Sequence, residues 1–489
     1  MKRSVWVTAL ALVLSVGALI ALSVSLSRTA APLNMVTAYP WGDSAAAEGL
    51  TVHVTEAYAD KLFWDTDYRV AEEKEETRFS FRPLGIPYRS SGNVGWKDEW
   101  YLTRLCLTDT GKYVTEDLLT GDAIKDVSAV RSKTVNVKDA FASYRMYLTE
   151  NGNDVFPLEM TERMVPFDKI RIPIGDEDRL QEEVYYQSRD GYSFNYWFQR
   201  QETRITAHTV GRDGHVLVTL GFAADAPVRA DWAPEGFGLW DIPVQENLRA
   251  FSRGEAAYRI PVVQQARLVY PLDIVRQRVL ALSETADGTL LLVTAEDERY
   301  VLRILDGETF DLIRELDLGT VELQTWSDEY SEFADYGPVW VRPEEGFTLI
   351  TRAGRELMVL EEQAGDWRIA LRSPIMELRF RWASGENTDW HWEQAGTPDE
   401  NGWEYGGPAY NPARESVLFS ALSYRDGKLA VAYSGSVAYG GNDVFVEVYG
   451  DGGMLYGGLL QNELAGQVYS HLYGIFTPGS GQPSLTWEG

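Results

Sequence analysis

The chain has 489 residues, 45% of them hydrophobic, and 73 acidic against 45 basic side chains give it a formal net charge of −28. This length and apolar content support one large domain or two to three ordinary ones and argue against a disordered chain, while the sign of the charge repels phosphate backbones and makes nucleic acid an unexpected partner. Cys106 is the only cysteine, so an intramolecular disulfide and a cysteine-rich zinc site are both excluded.

Residues 4–26, SVWVTALALVLSVGALIALSVSL, carry no charge. As a helix they are long enough to cross roughly 30 Å of hydrocarbon. Lys2 and Arg3 precede this run, and Arg28 is the one basic residue between it and Lys61. The positive-inside rule then makes residues 1–28 a cytoplasmic tip and membrane anchor, with the lipid bilayer as partner through residues 4–26 and the rest of the chain outside. A cleaved secretory signal is the alternative; its candidate site, Thr29-Ala30-Ala31, is followed by Pro32, which disfavours cleavage. Residues 29–50 combine small residues with Pro32 and Pro40, show no periodic apolar pattern, and read as a tether.

From Leu50 onward short alternating runs recur, with a short helix expected near Val244 to Ala257. HVLVTLGF (215–222) sets Val216, Val218, Leu220 and Phe222 on one face, and DVFVEVYG (443–450) sets Val444, Val446 and Val448 opposite Asp443, Phe445, Glu447 and Tyr449. Cys106, in LTRLCLTD, reads as a small buried residue of a strand. Asp-Gly occurs at 190–191, 213–214, 287–288, 306–307, 426–427 and 451–452, and this pair suits the positive φ angles of tight hairpin turns. Residues 51–250 are therefore a β-rich part, and residues 251–489 continue it with a visible repeat.

Residues 279–319 divide into four strand-like runs joined by ADG, AEDE and DGET, and weaker units follow at 339–373 and 417–460. The order of strand, Asp-Gly turn, strand, acidic turn and strand resembles a β-propeller blade of the quinoprotein and WD-repeat types. None of the three units ends its third strand in Trp-Asp or carries the Gly-His pair, so the resemblance implies blade architecture and no activity. Such blades close into rings of about four to eight. The expected fold class is all-β: an irregular β-propeller-like ectodomain of four-stranded blades after one N-terminal transmembrane helix. The alternative is a separate β-sandwich-like domain at 50–250 followed by a partial propeller.

No nucleophile elbow, zinc-protease helix, P-loop or dinucleotide fingerprint occurs in the sequence, and no catalytic residue, metal ligand or cofactor is assigned. Acidic clusters at 65–67, 175–179 and 397–402 do not complete a calcium-binding ladder. The aromatics are more informative. Two insertions, 320–338 and 387–407, each follow the fourth run of a unit and precede the next unit. The first carries Trp326, Tyr330, Phe333 and Tyr336; the second carries Trp390, His391, Trp392, Trp403 and Tyr405. Equivalent connections in a ring emerge on one face, which makes Trp326, Tyr330, Tyr336, Trp390, His391, Trp392, Trp403 and Tyr405 the candidate ligand-binding residues. Rings and carboxylates together suit sugars or cationic partners; the competing reading is that the rings pack under their own loops. The expected function is a non-catalytic binding or interaction module at the bacterial cell envelope, on a cell-surface glycan or another envelope protein. The alternative is a carbohydrate- or cell-wall-active enzyme using paired carboxylates.

Overall fold

The computed structural model describes residues 13–18, 35–58, 62–81, 98–108, 130–136, 141–150, 161–173, 179–187, 191–199, 205–246, 259–327, 332–363, 365–382, 388–395, 421–435, 443–462 and 483–488. Among them the structure is nearly all strand. Two compact units emerge, one formed by Met1–Gly92 with Arg342–Gly489 and the other by Asn93–Val341.

The first unit begins with β1 (Met35–Gly42), a 3-10 turn at Ser44–Ala47, β2 (Leu50–Tyr58), β3 (Leu62–Arg69) and β4 (Lys74–Phe81). Part of the segment expected as a tether is thus folded. Asp43 caps the turn by accepting from the Ala45 N–H at 2.9 Å. No alternation marks β1 in the sequence because its register shifts between Ala38 and Trp41, where Tyr39 takes φ 52°.

The second unit contains β5 (Asp98–Thr108), β6 (Val130–Asn136), β7 (Phe141–Glu150), β8 (Thr161–Pro173), β9 (Arg179–Gln187) and β10 (Gly191–Gln199). They form two three-stranded sheets, β5-β7-β8 and β10-β9-β6, and Cys106 lies in β5 opposite Ser143. Next come β11 (Ile205–Arg212), β12 (His215–Phe222), β13 (Phe237–Glu246), β14 (Arg259–Pro261) and β15 (Arg267–Leu272), a five-stranded sheet in which β13 pairs both β14 and β15. Val244 to Glu246, expected to open a helix, close β13 instead. Phe167 and Ile170 of β8 join Val216, Val218, Leu220, Trp240 and Ile242 in one buried cluster. The unit continues with β16 (Arg278–Glu284), β17 (Leu290–Glu296), β18 (Arg299–Leu305) and β19 (Leu312–Thr320), a four-stranded antiparallel sheet in chain order. Its turns use the residues expected of them: Gly288 takes φ 90°, and Asp297 and Glu298 take φ 45° and 63°. A hairpin of β20 (Leu323–Ser327) and β21 (Glu332–Tyr336) follows.

The same succession recurs. β22 (Val339–Glu344), β23 (Phe347–Arg352), β24 (Glu356–Gln363) and β25 (Asp366–Pro374) form a second four-stranded sheet, followed by a hairpin of β26 (Met376–Trp382) and β27 (Thr388–Gln394). β28 (Ala421–Arg425), β29 (Lys428–Gly435), β30 (Asp443–Gly450) and β31 (Gly453–Asn462) make a third, and β32 (Ser484–Trp487) ends the described chain. Here the pairing becomes non-local. β1 adds to β31 as a fifth strand, and β32 adds to β2 to give the four-stranded sheet β32-β2-β3-β4. Leu50, Val52, Val54 and Tyr68 from one of these sheets and Val444, Val446, Val448 and Leu460 from the other share a buried cluster that Leu485 completes.

The protein is all-β, and its four-stranded antiparallel sheets in chain order fit the blades of a β-propeller. No helix among the described residues is long and apolar enough to cross a membrane. The span expected at residues 4–26 lies outside the described residues except for 13–18, which are helical and expose Val13, Leu14 and Val16.

Candidate functional site

A two-stranded hairpin follows the last strand of each of two four-stranded sheets: β20–β21 lies inside the insertion expected at 320–338, whereas of β26–β27 only β27 lies inside the one expected at 387–407, β26 pairing with it from before that segment. Their bases are built alike. The Val321 N–H donates to Glu298 O, and the Ile375 N–H to Arg355 O, both at 2.8 Å, so each hairpin starts from a turn of the sheet before it. The hairpins close at their bases through Gly337 N–H to Glu322 O at 3.2 Å and Ala395 N–H to Ile375 O at 2.8 Å. A fully buried tyrosine pins each one. Tyr300 donates to Glu322 O at 3.2 Å, and Tyr449 accepts from the Met376 N–H at 3.1 Å.

In the β26–β27 hairpin Leu378 pairs with Trp392, Phe380 with Trp390 and Trp382 with Thr388, while Glu377 pairs with Glu393, Arg379 with His391 and Arg381 with Asp389. Because side chains alternate along a strand, Leu378 and Trp392 share one face, the aromatic one, and Glu377, His391 and Glu393 share the other, the charged one. On the aromatic face Trp392 is committed to packing. Its indole N–H donates to Tyr39 O at 2.8 Å, and its ring packs with Leu378, Phe445, Leu459 and Tyr433. A Cβ at Gly457 would lie 3.1 Å from the Trp392 ring, so the absence of a side chain there lets the indole approach the strand. On the charged face His391 Nε2 meets Glu393 Oε1 at 2.6 Å, and Glu377 is buried. Behind the hairpin, Tyr433 and Tyr449 each donate to the buried Glu447 carboxyl at 2.7 Å. Burial first, and then the Glu447 charge, push the Tyr449 phenol well above its ordinary value, which keeps it protonated as a donor.

The other candidates divide as follows. Tyr336 ends β21 half-buried, hydrogen-bonded to the Arg278 guanidinium; burial raises its phenol pKa against the opposing pull of that cation. Trp326 sits in β20 opposite Phe333, and Trp390 in β27 opposite Phe380. Tyr330, Trp403 and Tyr405 lie outside the described residues. Tyr336 and Trp392 therefore fasten their hairpins to the sheets, and the polar face of β27 presents His391 and Glu393.

Three arrangements were not anticipated as sites. The carboxylates of Glu377 and Glu393 come from directly opposed residues, a pairing that required the hairpin register to be known. Glu447 was visible as the one acid between Phe445 and Tyr449 on a strand face. On the outer face of β32-β2-β3, His53 Nδ1 meets Asp67 Oδ1 at 2.7 Å and His53 Nε2 meets Thr486 Oγ1 at 2.8 Å. This has the order of a hydroxyl, base and carboxylate relay, but His53 and Asp67 are 35% and 45% exposed, and water competes for every bond. Among the described residues no group of three or more His, Cys, Asp or Glu is placed to hold a metal ion.

No family model and no curated protein matches the chain. Among solved structures it is similar to Chaetomium thermophilum Sqt1 bound to the N-terminus of the ribosomal protein L10, at 12% identity over 65% of this chain and 67% of that one, with a TM-score of 0.23. It is also similar to puromycin hydrolase, at 12% identity over 84% of this chain, with a TM-score of 0.21. The chain spans about half of puromycin hydrolase, 52% of its length. At these scores neither likeness bears on activity or partner.

Proposed function

We propose that this protein is a membrane-anchored, extracytoplasmic β-propeller-like binding module in which each unit offers a ligand its own aromatic hairpin, β26–β27 in the first and β20–β21 in the second. The observation that carries the reading is the recurrence of one aromatic hairpin after each of two successive four-stranded sheets, each pinned by a buried tyrosine. Ordered insertions on a rigid scaffold are where binding residues concentrate. The anchor rests on the uncharged run at 4–26 and on the exposed apolar side chains of its helical residues 13–18. The ligand class is a cell-envelope glycan or an envelope protein, met by the rings of the hairpins.

The test is retention of the detergent-solubilised full chain on purified cell-wall polysaccharide. Trp390→Ala combined with Trp326→Ala is expected to lower retention about tenfold, the loss of one to two stacking contacts. Retention equal to that of the parent would sink the glycan version.

A second reading draws on the Glu377–Glu393 pair: a glycosidase needs two carboxyl groups within roughly 5 to 10 Å of each other, and these two residues stand directly opposite one another in the hairpin, a register that sets their Cβ atoms roughly 4.5 to 5.5 Å apart. Under this reading Glu377→Gln and Glu393→Gln each abolish hydrolysis of a chromogenic glycoside panel by the parent chain. A parent chain inert on the whole panel removes it.

A further inference from the structure

Within the first unit, exposed apolar side chains gather along one sheet edge. Val36, Tyr39 and Trp41 of β1 are 43%, 41% and 38% exposed, and Leu455 of β31 is 37% exposed. β1 is the outermost strand of its five-stranded sheet, and Asp43 N–H to Leu455 O at 3.0 Å ties its end to that residue. An exposed edge invites another strand, but this one is guarded against strand addition. Pro40 offers no N–H, the register breaks between Ala38 and Trp41, and the Tyr39 carbonyl is taken by the Trp392 indole. Two aliphatic groups, an indole and a phenol are exposed along this edge.

We propose that this rim, Val36, Tyr39, Trp41 and Leu455, rests in the headgroup layer of the lipid bilayer that carries the chain, a placement that builds on the membrane-anchor reading above. Reach is the first argument. Eight residues, Ser27 to Asn34, separate the uncharged run from Met35, and at about 3.5 Å each they span no more than about 28 Å. β1 is therefore held close to the point where the chain leaves the membrane, closer than any other described strand is obliged to be. Chemistry is the second. Trp and Tyr combine an apolar ring with a polar edge and are enriched at the membrane–water interface for that reason. Charge is the third: with a net charge of −28 the chain is repelled by anionic headgroups, so the contact is aromatic and apolar, suits zwitterionic lipid, and resists salt.

The full chain, carrying Cys106→Ser and Leu455→Cys, is reconstituted in phosphatidylcholine vesicles and labelled at position 455 with an environment-sensitive fluorophore. Position 76, on β4 and exposed, is labelled in a parallel sample through Glu76→Cys. Headgroup spin-labelled lipid is expected to quench the label at 455 by about twofold or more, in low and high salt alike, and to leave the label at 76 unchanged. Adding Tyr39→Ser and Trp41→Ser is expected to remove the quenching at 455. Equal quenching at both positions, or none at 455 while the chain resists carbonate extraction, overturns the placement and leaves the anchor standing. Release of the chain by carbonate overturns the anchor and the placement with it.

Discussion

Two polar rows in the first unit use similar groups at similar distances, yet they sit in different surroundings. Behind the β26–β27 hairpin, Tyr433 and Tyr449 each donate to Glu447 at 2.7 Å, with Glu447 and Tyr449 fully buried. On the outer face of β32-β2-β3, Asp67, His53 and Thr486 are joined at 2.7 and 2.8 Å, with His53 and Asp67 substantially exposed. Bond length does not separate them. Where water reaches, it replaces a lost partner; where it does not, the remaining group keeps its full desolvation penalty. The buried row therefore places the hairpin that carries the candidate site, and the exposed row mainly sets the register of β32 on β2.

The sharpest way to break this comparison is Tyr449→Phe. The change removes the Tyr449 donation to Glu447 and the acceptor of the Met376 N–H in a sealed setting, and the first unit is expected to lose about 3 kcal/mol in denaturant melts. A loss below about 1 kcal/mol would mean that water enters behind the hairpin, and that burial does not distinguish the two rows.

The second unit supplies a sharper case of a sealed polar group. His208 pairs across the ladder with Thr219, and its Nε2 is sealed from solvent without a hydrogen-bond partner among the described residues. Gly221 makes room for it: a Cβ there would lie 3.2 Å from Nε2 and 2.2 Å from Val279 O. Burial lowers the imidazole from 6.5 to about 4. The unfolded chain takes up its proton near 6.5 while the folded chain does not, so the stability present above pH 6.5 is lost as pH falls toward about 4 and then levels off. The expected loss is about 3 kcal/mol. Melts of the second unit between these limits should show that slope, and His208→Leu should flatten it. A slope that persists in the variant assigns the effect to other groups.

Locality decided how much of this was legible. The sheet at 278–320 is readable because each strand pairs its chain neighbour and the turns carry Asp287-Gly288 and the acidic pair Asp297-Glu298. β1 is not, since its partner is β31 and its alternation breaks at Tyr39. β32 is four residues long, too short for a period to show. The position of β20–β21 follows from the repeat; β26, at Met376–Trp382, begins before the insertion marked at 387–407. That Trp392 packs is hidden, because its partner is a backbone carbonyl 353 positions away. Likewise His53 and Asp67 are 14 positions apart across one hairpin, within sequence reach, but Thr486 is 433 away. Side-chain chemistry announces itself in a sequence; the carbonyl or distant hydroxyl that satisfies it does not.

Trp392→Phe tests an intermediate case, a bond at the partly exposed margin of a packed ring. The variant keeps most of the apolar contact with Leu378, Phe445 and Leu459 and loses the donation to Tyr39 O. The expected cost is about 1 kcal/mol, between the sealed and the solvated rows. Envelope-ligand retention should be unchanged, because the ring is committed to packing. Loss of retention without loss of stability would return Trp392 to the binding surface.

The smallest effect belongs to Thr486→Val, which removes the hydroxyl from His53 Nε2 while keeping the shape of the side chain. Water can reach His53 and replace it, and a β-branched residue is well suited to a strand. The first unit should change by no more than about 0.5 kcal/mol. The Thr486→Val, His53→Ala cycle should then show coupling of about the same small size. A coupling near that of the buried tyrosines would mean that the row is shielded from water. The hydroxyl, imidazole and carboxylate order would then be held in a dry setting, where a base is oriented rather than merely solvated, and its reactivity toward acylating probes would become the measurement to make.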